Sequence, residues 1–165
     1  MDLNNIIDFL VPLLEKFRML GYWIILLISC LESVVVVGLF IPGTVFTIAI
    51  GFIASQGYLD IGDAIVFAAI GAIIGDVASF YLGKTRGRGF FEKSKILKES
   101  HLNMGKEFFN KHGNKSVFLG RFIGPLRPIV PFIAGMCKMK ARWFVTLNIL
   151  SAFAWAATYL LLGYF

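Results

Sequence analysis

Two stretches of the sequence stay apolar for about the length of a membrane crossing. Ala64 to Leu82 is interrupted only by Asp76, and Phe144 to Phe165 carries no charge. Roughly 20 apolar residues suffice to span a bilayer as a helix. Asp60 and Asp63 stand before the first stretch, with Lys84 and Arg86 after it; Lys138, Lys140 and Arg142 precede the second. Basic flanks stay in the cytoplasm, so the first span is predicted to enter from outside and the second to leave from inside, placing the C-terminus outside.

Two further apolar stretches are broken. Ser116 to Cys137 is as long as a span but basic on both sides, and it holds Arg121, Arg127, Gly124, Pro125, Pro128, Pro131 and Gly135. Proline removes helix donors, and irregular backbone at membrane depth is tolerated only inside protein or a wet cavity, so a re-entrant hairpin is predicted. Met19 to Tyr58 is likewise broken at Gly38 and at Pro42-Gly43, with Glu32 inside it. If Lys16 and Arg18 are cytoplasmic and Asp60 is outside, this stretch crosses a net odd number of times, which favours one crossing plus a hairpin centred on Pro42-Gly43. The predicted fold is all-α and polytopic. It has two inverted repeats, about 32–83 and 116–165, each a broken hairpin followed by a full span. Gly/Pro-interrupted segments at matching places in two halves point to a transporter site near the midplane. Ahead of them, Leu3, Ile6, Leu10, Leu13 and Phe17 predict an amphipathic interfacial helix over 1–18, interrupted near Pro12, and 19–165 reads as one membrane domain.

Composition agrees with this frame. Of 165 residues, 58% are hydrophobic and 16% charged, both shifted from soluble averages toward a membrane protein. That length admits four or five passages and one modest loop, too little for an additional soluble catalytic domain. The net charge of +6 lies wholly between Lys84 and Lys115, where nine basic residues face three acidic ones. A short loop of that charge is predicted to be cytoplasmic (83–115). Within it Leu97, His101, Met104 and Phe108 form a helical stripe suited to the inner membrane surface. Nucleic acid is disfavoured as a partner, because stacking platforms are absent. His101 and His112 fit a solvated face. Cys30 and Cys137 lack metal or disulfide spacing, so no metal or cofactor is expected. Met1 to Phe17 lacks the positive start of a cleaved signal peptide.

Four ionisable residues remain at membrane depth: Glu32, Asp76, Arg121 and Arg127. Each must be paired or face a wet interior. They can form two ion pairs that only clamp the hairpins. They can also work, a desolvated carboxylate carrying a proton while the arginine forks receive a phosphate, helped by half-helix ends. Six residues separate the arginines and Gly124-Pro125 intervenes, so spacing does not establish that they converge. Gly71, Gly75, Gly83 and Gly87, four apart, suit close helix packing better than a phosphate loop. Ser33 adjoins Glu32, but nothing in the sequence supplies a base for it, and no nucleophile or metal motif points to an enzyme.

Several of these residues together resemble the DedA family, the bacterial branch of the group named for SNARE-associated or VTT domains. They are Glu32 with Ile41-Pro42-Gly43, then Gly75-Asp76 with Tyr81, Gly83 and Gly87. Most specific is Gly120-Arg121-Phe122-Ile123-Gly124-Pro125-Leu126-Arg127 running into Pro131 and Ala134-Gly135-Met136. The resemblance covers roughly residues 20–165. It implies an inner-membrane protein with two opposed re-entrant hairpins that moves lipids, undecaprenyl phosphate or phospholipids, with dependence on proton-motive force. It implies that Glu32 is the family's first embedded acid and that Arg121 and Arg127 are its essential arginine pair. Thr44 departs from the pattern, standing where members often carry a second acid. Proton coupling then rests on Glu32, with Asp76, or is absent. The function expected is translocation of an anionic lipid as a flippase or scramblase, with membrane lipids and protons as partners and a homo-oligomer left open. The alternatives are a proton-coupled antiporter of small solutes or ions, and a non-transporting assembly factor.

Overall fold

The computed structural model describes residues 3–35, 37–39, 43–93 and 99–165, except the side chains of 3–15, 39, 88, 90–93, 99, 101 and 125. Pro42 and Leu97 lie outside the described residues, as do the side chains of His101 and Pro125. Among the described residues every regular element is helical: α1 (Leu3–Ser33), α2 (Gly43–Ser55), α3 (Ile61–Lys93), α4 (Glu99–His112), α5 (Ser116–Gly120), α6 (Ile129–Met136) and α7 (Ala141–Tyr164).

Two of these are long and apolar enough to cross a membrane: 27 residues of α3, Ile61–Gly87, and the 24 of α7. At ~1.5 Å per residue they reach about 40 and 36 Å, past a hydrocarbon core of ~30 Å. Asp60 starts α3, its Oδ1 accepting the Asp63 N–H at 3.0 Å. Gly87 bends the helix, with φ 34° and ψ −118°, where a side chain would be strained. The bend falls just beyond Lys84 and Arg86.

α1 and α3 lie side by side in the same direction. The Tyr22 hydroxyl accepts the Asp60 N–H at 2.9 Å. Further along, a Cβ on Gly71 or Gly75 would collide with the backbone oxygen of Leu26 or Cys30. Farther still, the Ser79 hydroxyl accepts the Val35 N–H at 3.0 Å and donates to the Ser33 carbonyl at 3.1 Å. The glycine spacing thus serves close packing, as its pattern predicts. α7 runs against α3: Phe144 stacks on Phe80 at 4.1 Å, and Trp155, Ala156 and Leu160 close over Ala64, Ala68, Ala69 and Ala72.

This seam corrects the parity expectation. Arg18 lies at the Asp60 end of α3, not at the Lys84 end. The chain descends as α1 to Glu32, turns, and returns as α2 to the end where Gly57, Tyr58 and Leu59 face Phe17, Arg18 and Gly21 across a groove. Met19 to Tyr58 therefore begins and ends on one side. Two basic residues are a weaker determinant of direction than a seam of glycine and serine contacts. Nor is α1 interrupted at Pro12 or at residue 18; one proline removes one ladder bond, which a helix of 31 residues can spare.

α5 and α6 make a second, shorter helix-turn-helix, joined through consecutive turns between Arg121 and Pro128 that include a short helical turn at Gly124–Leu126. Pro128 caps α6 and Pro131 sits in its first turn, where the missing N–H has no intrahelical partner to lose. Pro131 is thus inside the helix and does not break it. The short arms pack reciprocally. Gly83 of α3 and Gly135 of α6 each lie against the other helix's carbonyl, of Phe132 and Phe80 respectively. Gly51 of α2 and Gly163 of α7 do the same with Leu160 and Ile48. Each arm therefore rests on the long helix of the other half.

α4 differs from the expected stripe. Its buried positions are Leu102 and Gly105, with Phe108 and Phe109 half-buried, while Met104 is exposed. A Cβ on Gly105 would come within 2.8 Å of Ile129. The apolar face is taken by α6, which offers Ile129 and Ile133 at closer range than a membrane surface could. His112 ends the helix with Nδ1 3.0 Å from the Phe108 carbonyl.

Candidate functional site

The tips of the two helix-turn-helix units meet beside the middle of α3. Gly38 comes against Pro128, and the four ionisable residues gather there, each 6% exposed or less. Each acid takes one arginine. Glu32 Oε1 accepts from Arg127 Nη1, and Asp76 Oδ2 accepts from Arg121 Nη2. The arginines share one region but not one acid, which residue spacing did not reveal.

The carboxylate of Glu32 occupies the place where a Cβ on Gly43 would stand. Gly43 is the first residue of α2, so the carboxylate sits at a helix N-terminus, whose unpaired N–H groups attract negative charge. The start of α2 at Gly43 thus makes a seat for Glu32. On its other side Arg127 lies over the Trp155 ring, 3.8 Å from guanidinium carbon to centroid, within cation–π range. Thr44 follows in the first turn of α2, half-buried, and Thr47 donates to the Gly43 carbonyl at 2.9 Å.

Arg121 is held differently. Besides Asp76 it donates to Asn148 Oδ1, and Asn148 Nδ2 donates to the Ile73 carbonyl at 3.4 Å. One guanidinium thereby joins the α5 end, α3 and α7. Asn148 and Trp155 were not among the residues singled out from the sequence. Asn148 carried a usable signal, as the only amide in the charge-free last span; Trp155 carried none, since tryptophan is ordinary there.

Both pairs leave polar atoms unpartnered. Glu32 Oε2, Arg127 Nε and Nη2, Asp76 Oδ1 and Arg121 Nη1 are buried without a hydrogen bond, as are Ser33 Oγ and Trp155 Nε1. Such atoms cost about 1–3 kcal/mol each when desolvated and unpaired, so the site is chemically open to a molecule that supplies acceptors and donors. Among the described residues no three His, Cys, Asp or Glu gather as a metal would need, and both cysteines are free.

Comparison with known proteins bears on this arrangement. The model of the VTT domain matches residues 41–165. Protein DedA of Escherichia coli (strain K12) is 34% identical over 160 residues, covering 94% of this chain and 73% of that protein. Inner membrane protein YabI of the same strain is 35% identical over 144 residues, 84% of this chain and 55% of YabI. Undecaprenyl phosphate transporter A of Bacillus subtilis (strain 168) is 29% identical over 126 residues, 74% of this chain and 64% of the transporter. No solved structure matches the chain. The names of these relatives describe membrane proteins and a transporter, and the VTT match takes in Asp76, both arginines, Asn148 and Trp155. The chain is a membrane protein belonging to the VTT-domain family, that of DedA.

Proposed function

We propose that this protein moves an anionic lipid across the bilayer, undecaprenyl phosphate or a phospholipid, with Arg127 and Arg121 receiving the phosphate and Glu32 with Asp76 exchanging protons. In this reading α3 and α7 cross the membrane and the two helix-turn-helix units are re-entrant, dipping from opposite faces to meet at the ion pairs. The basic loop over 84–115 faces the cytoplasm; Asp60, Arg18 and the C-terminus face outward from the inner membrane. The interfacial role of residues 1–18 belongs to the same reading.

One observation carries it. Each buried ion pair is made through a single oxygen and a single nitrogen, leaving Nε and Nη2 of Arg127 and Nη1 of Arg121 unpaired at the meeting of two helix tips. A clamp serving folding alone would gain from closing those edges with further protein acceptors. A phosphate offers several oxygens to a planar fork, which suits arginine better than lysine. Irregular backbone enclosed by protein at membrane depth is the setting in which carriers place such sites. A relative named for undecaprenyl phosphate transport supports the substrate class.

The test is reconstitution in liposomes with labelled undecaprenyl phosphate and labelled phospholipids in parallel, with and without a pH gradient. Translocation that falls with Arg127→Ala supports the reading. Anionic lipid transport that survives both Arg121→Ala and Arg127→Ala, in folded protein, overturns it. Solute-dependent proton flux without any candidate lipid would assign the site to an antiporter instead. Function restored by exchanging Glu32 and Arg127 with each other would assign the pair to assembly.

A further inference from the structure

α1 and α2 touch at Glu32 and Gly43 but diverge from there, leaving a groove of about 750 Å3. This falls within the ~300–1,000 Å3 of small-molecule sites. Its walls are Ile24, Ile28, Phe46, Ala49, Ile50 and Ile53, and its polar groups, Arg18 and Tyr58, lie at the mouth. Ile24, Phe46 and Ile53 are also exposed, so the groove opens sideways along its length. The second helix-turn-helix is built otherwise: α5 has five residues and α6 eight, and α4 packs on α6.

The depth of the groove fits one leaflet. Arg18 to Ile28 is ten steps along α1, about 15 Å of helix, half of a ~30 Å hydrocarbon core. Arg18 and Tyr58 at the mouth are the residue types that mark a membrane interface, and the inner end stops one turn before Glu32. A lipid in the leaflet has this same layout, with its phosphate at the interface and its chain directed to the midplane. We propose that the groove holds the hydrocarbon chain of a phosphate-headed lipid, with the phosphate at Arg18, as the waiting position next to the ion pairs. This rests on the lipid-translocation reading and adds to it where the lipid is taken up: from the Asp60 side.

The full chain, reconstituted in phosphatidylcholine vesicles, is exposed to phosphatidic acid carrying a diazirine in its acyl chain, and to the matching diacylglycerol. Cross-links are mapped by mass spectrometry. Phosphatidic acid is expected to label Ile24, Ile28, Phe46 and Ile53 in excess over Leu150 and Leu162 of α7, which are also exposed; diacylglycerol labels both sets alike. Arg18→Gln lowers the excess roughly fivefold, the effect of one basic residue at a lipid surface. Ala49→Trp, or Ile53→Trp placed from the exposed side, removes it in protein that stays monodisperse. Equal labelling of groove and α7, or an excess that survives both tryptophans, overturns the proposal. An excess in a protein that moves no lipid would sink the transport reading and leave the groove standing. Transport without an excess would do the reverse.

Discussion

The two buried ion pairs have the same chemistry and different surroundings. Asp76–Arg121 is tied across α3, the α5 end and α7, with Asn148 completing it and anchored in turn to the Ile73 carbonyl. Glu32–Arg127 has no such third residue. Its acid rests on a helix N-terminus and its base on the face of Trp155, and Arg127 retains two unpartnered nitrogens against one on Arg121. A guanidinium fixed by two side-chain acceptors on two long helices, with one nitrogen free, is suited to hold the fold while it meets a phosphate. One laid on an aromatic face, with two nitrogens free, is suited to change partners.

Arg121→Ala accordingly has the largest effect on stability. It strands Asp76 and Asn148 in the interior, at a cost of about 3–5 kcal/mol, read as lost monodispersity and early thermal unfolding in detergent. A variant as stable as the parent would erase the distinction. Arg127→Lys keeps the charge but loses the fork and its planar stacking. We expect a fall in lipid translocation of roughly tenfold or more, equivalent to ~1.4 kcal/mol or above, with the thermal midpoint little changed. Unchanged translocation would mean that the guanidinium is not used. Gly43→Ala puts a methyl where the Glu32 carboxylate lies, at about 1–3 kcal/mol of overpacking. It should lower translocation and stability together, and a neutral result would show that Glu32 is free to move away. Smallest is Asn148→Ala, which removes one hydrogen bond to a charged group; because Asp76 still holds Arg121, the loss is expected to stay below about 1 kcal/mol. The thermal midpoint reads that loss, and translocation should follow stability only.

Much of this was legible in the sequence. The two membrane-capable helices stood out as apolar runs, one broken only by Asp76 and the other free of charge, and the four site residues as charges in lipid-like surroundings. That signal depends only on composition along the chain, so it survives without any knowledge of packing. Pairing did not, since Glu32 and Arg127 are brought together by two turns whose angles no local rule sets. The direction of α1 is not legible for a related reason: Lys16 and Arg18 report a local charge bias, whereas the helix direction follows Tyr22, Gly71, Gly75 and Ser79 acting together along ~30 Å of seam. On α4 the stripe Met104–Phe108 and the buried face Leu102–Gly105 differ by a fraction of a turn. Only the presence of Ile129 and Ile133 decides between them, and glycine in a contact face leaves no hydrophobic mark.

The reciprocal glycine contacts bear on how the molecule is made. α2, at 13 residues, is too short to cross a bilayer alone, and the helix it rests on through Gly51 and Gly163 follows only after α3, α4, α5 and α6 have been made. Until α7 has been inserted, the first hairpin has no seat, and Glu32 waits for an arginine nearly a hundred residues downstream. Neither half can therefore finish by itself, and biogenesis must keep the early segment sheltered, in a chaperone or in the insertion machinery, until α7 has been made. Two fragments divided between α3 and α4 would be unstable apart and would recover a native membrane protein only when produced together.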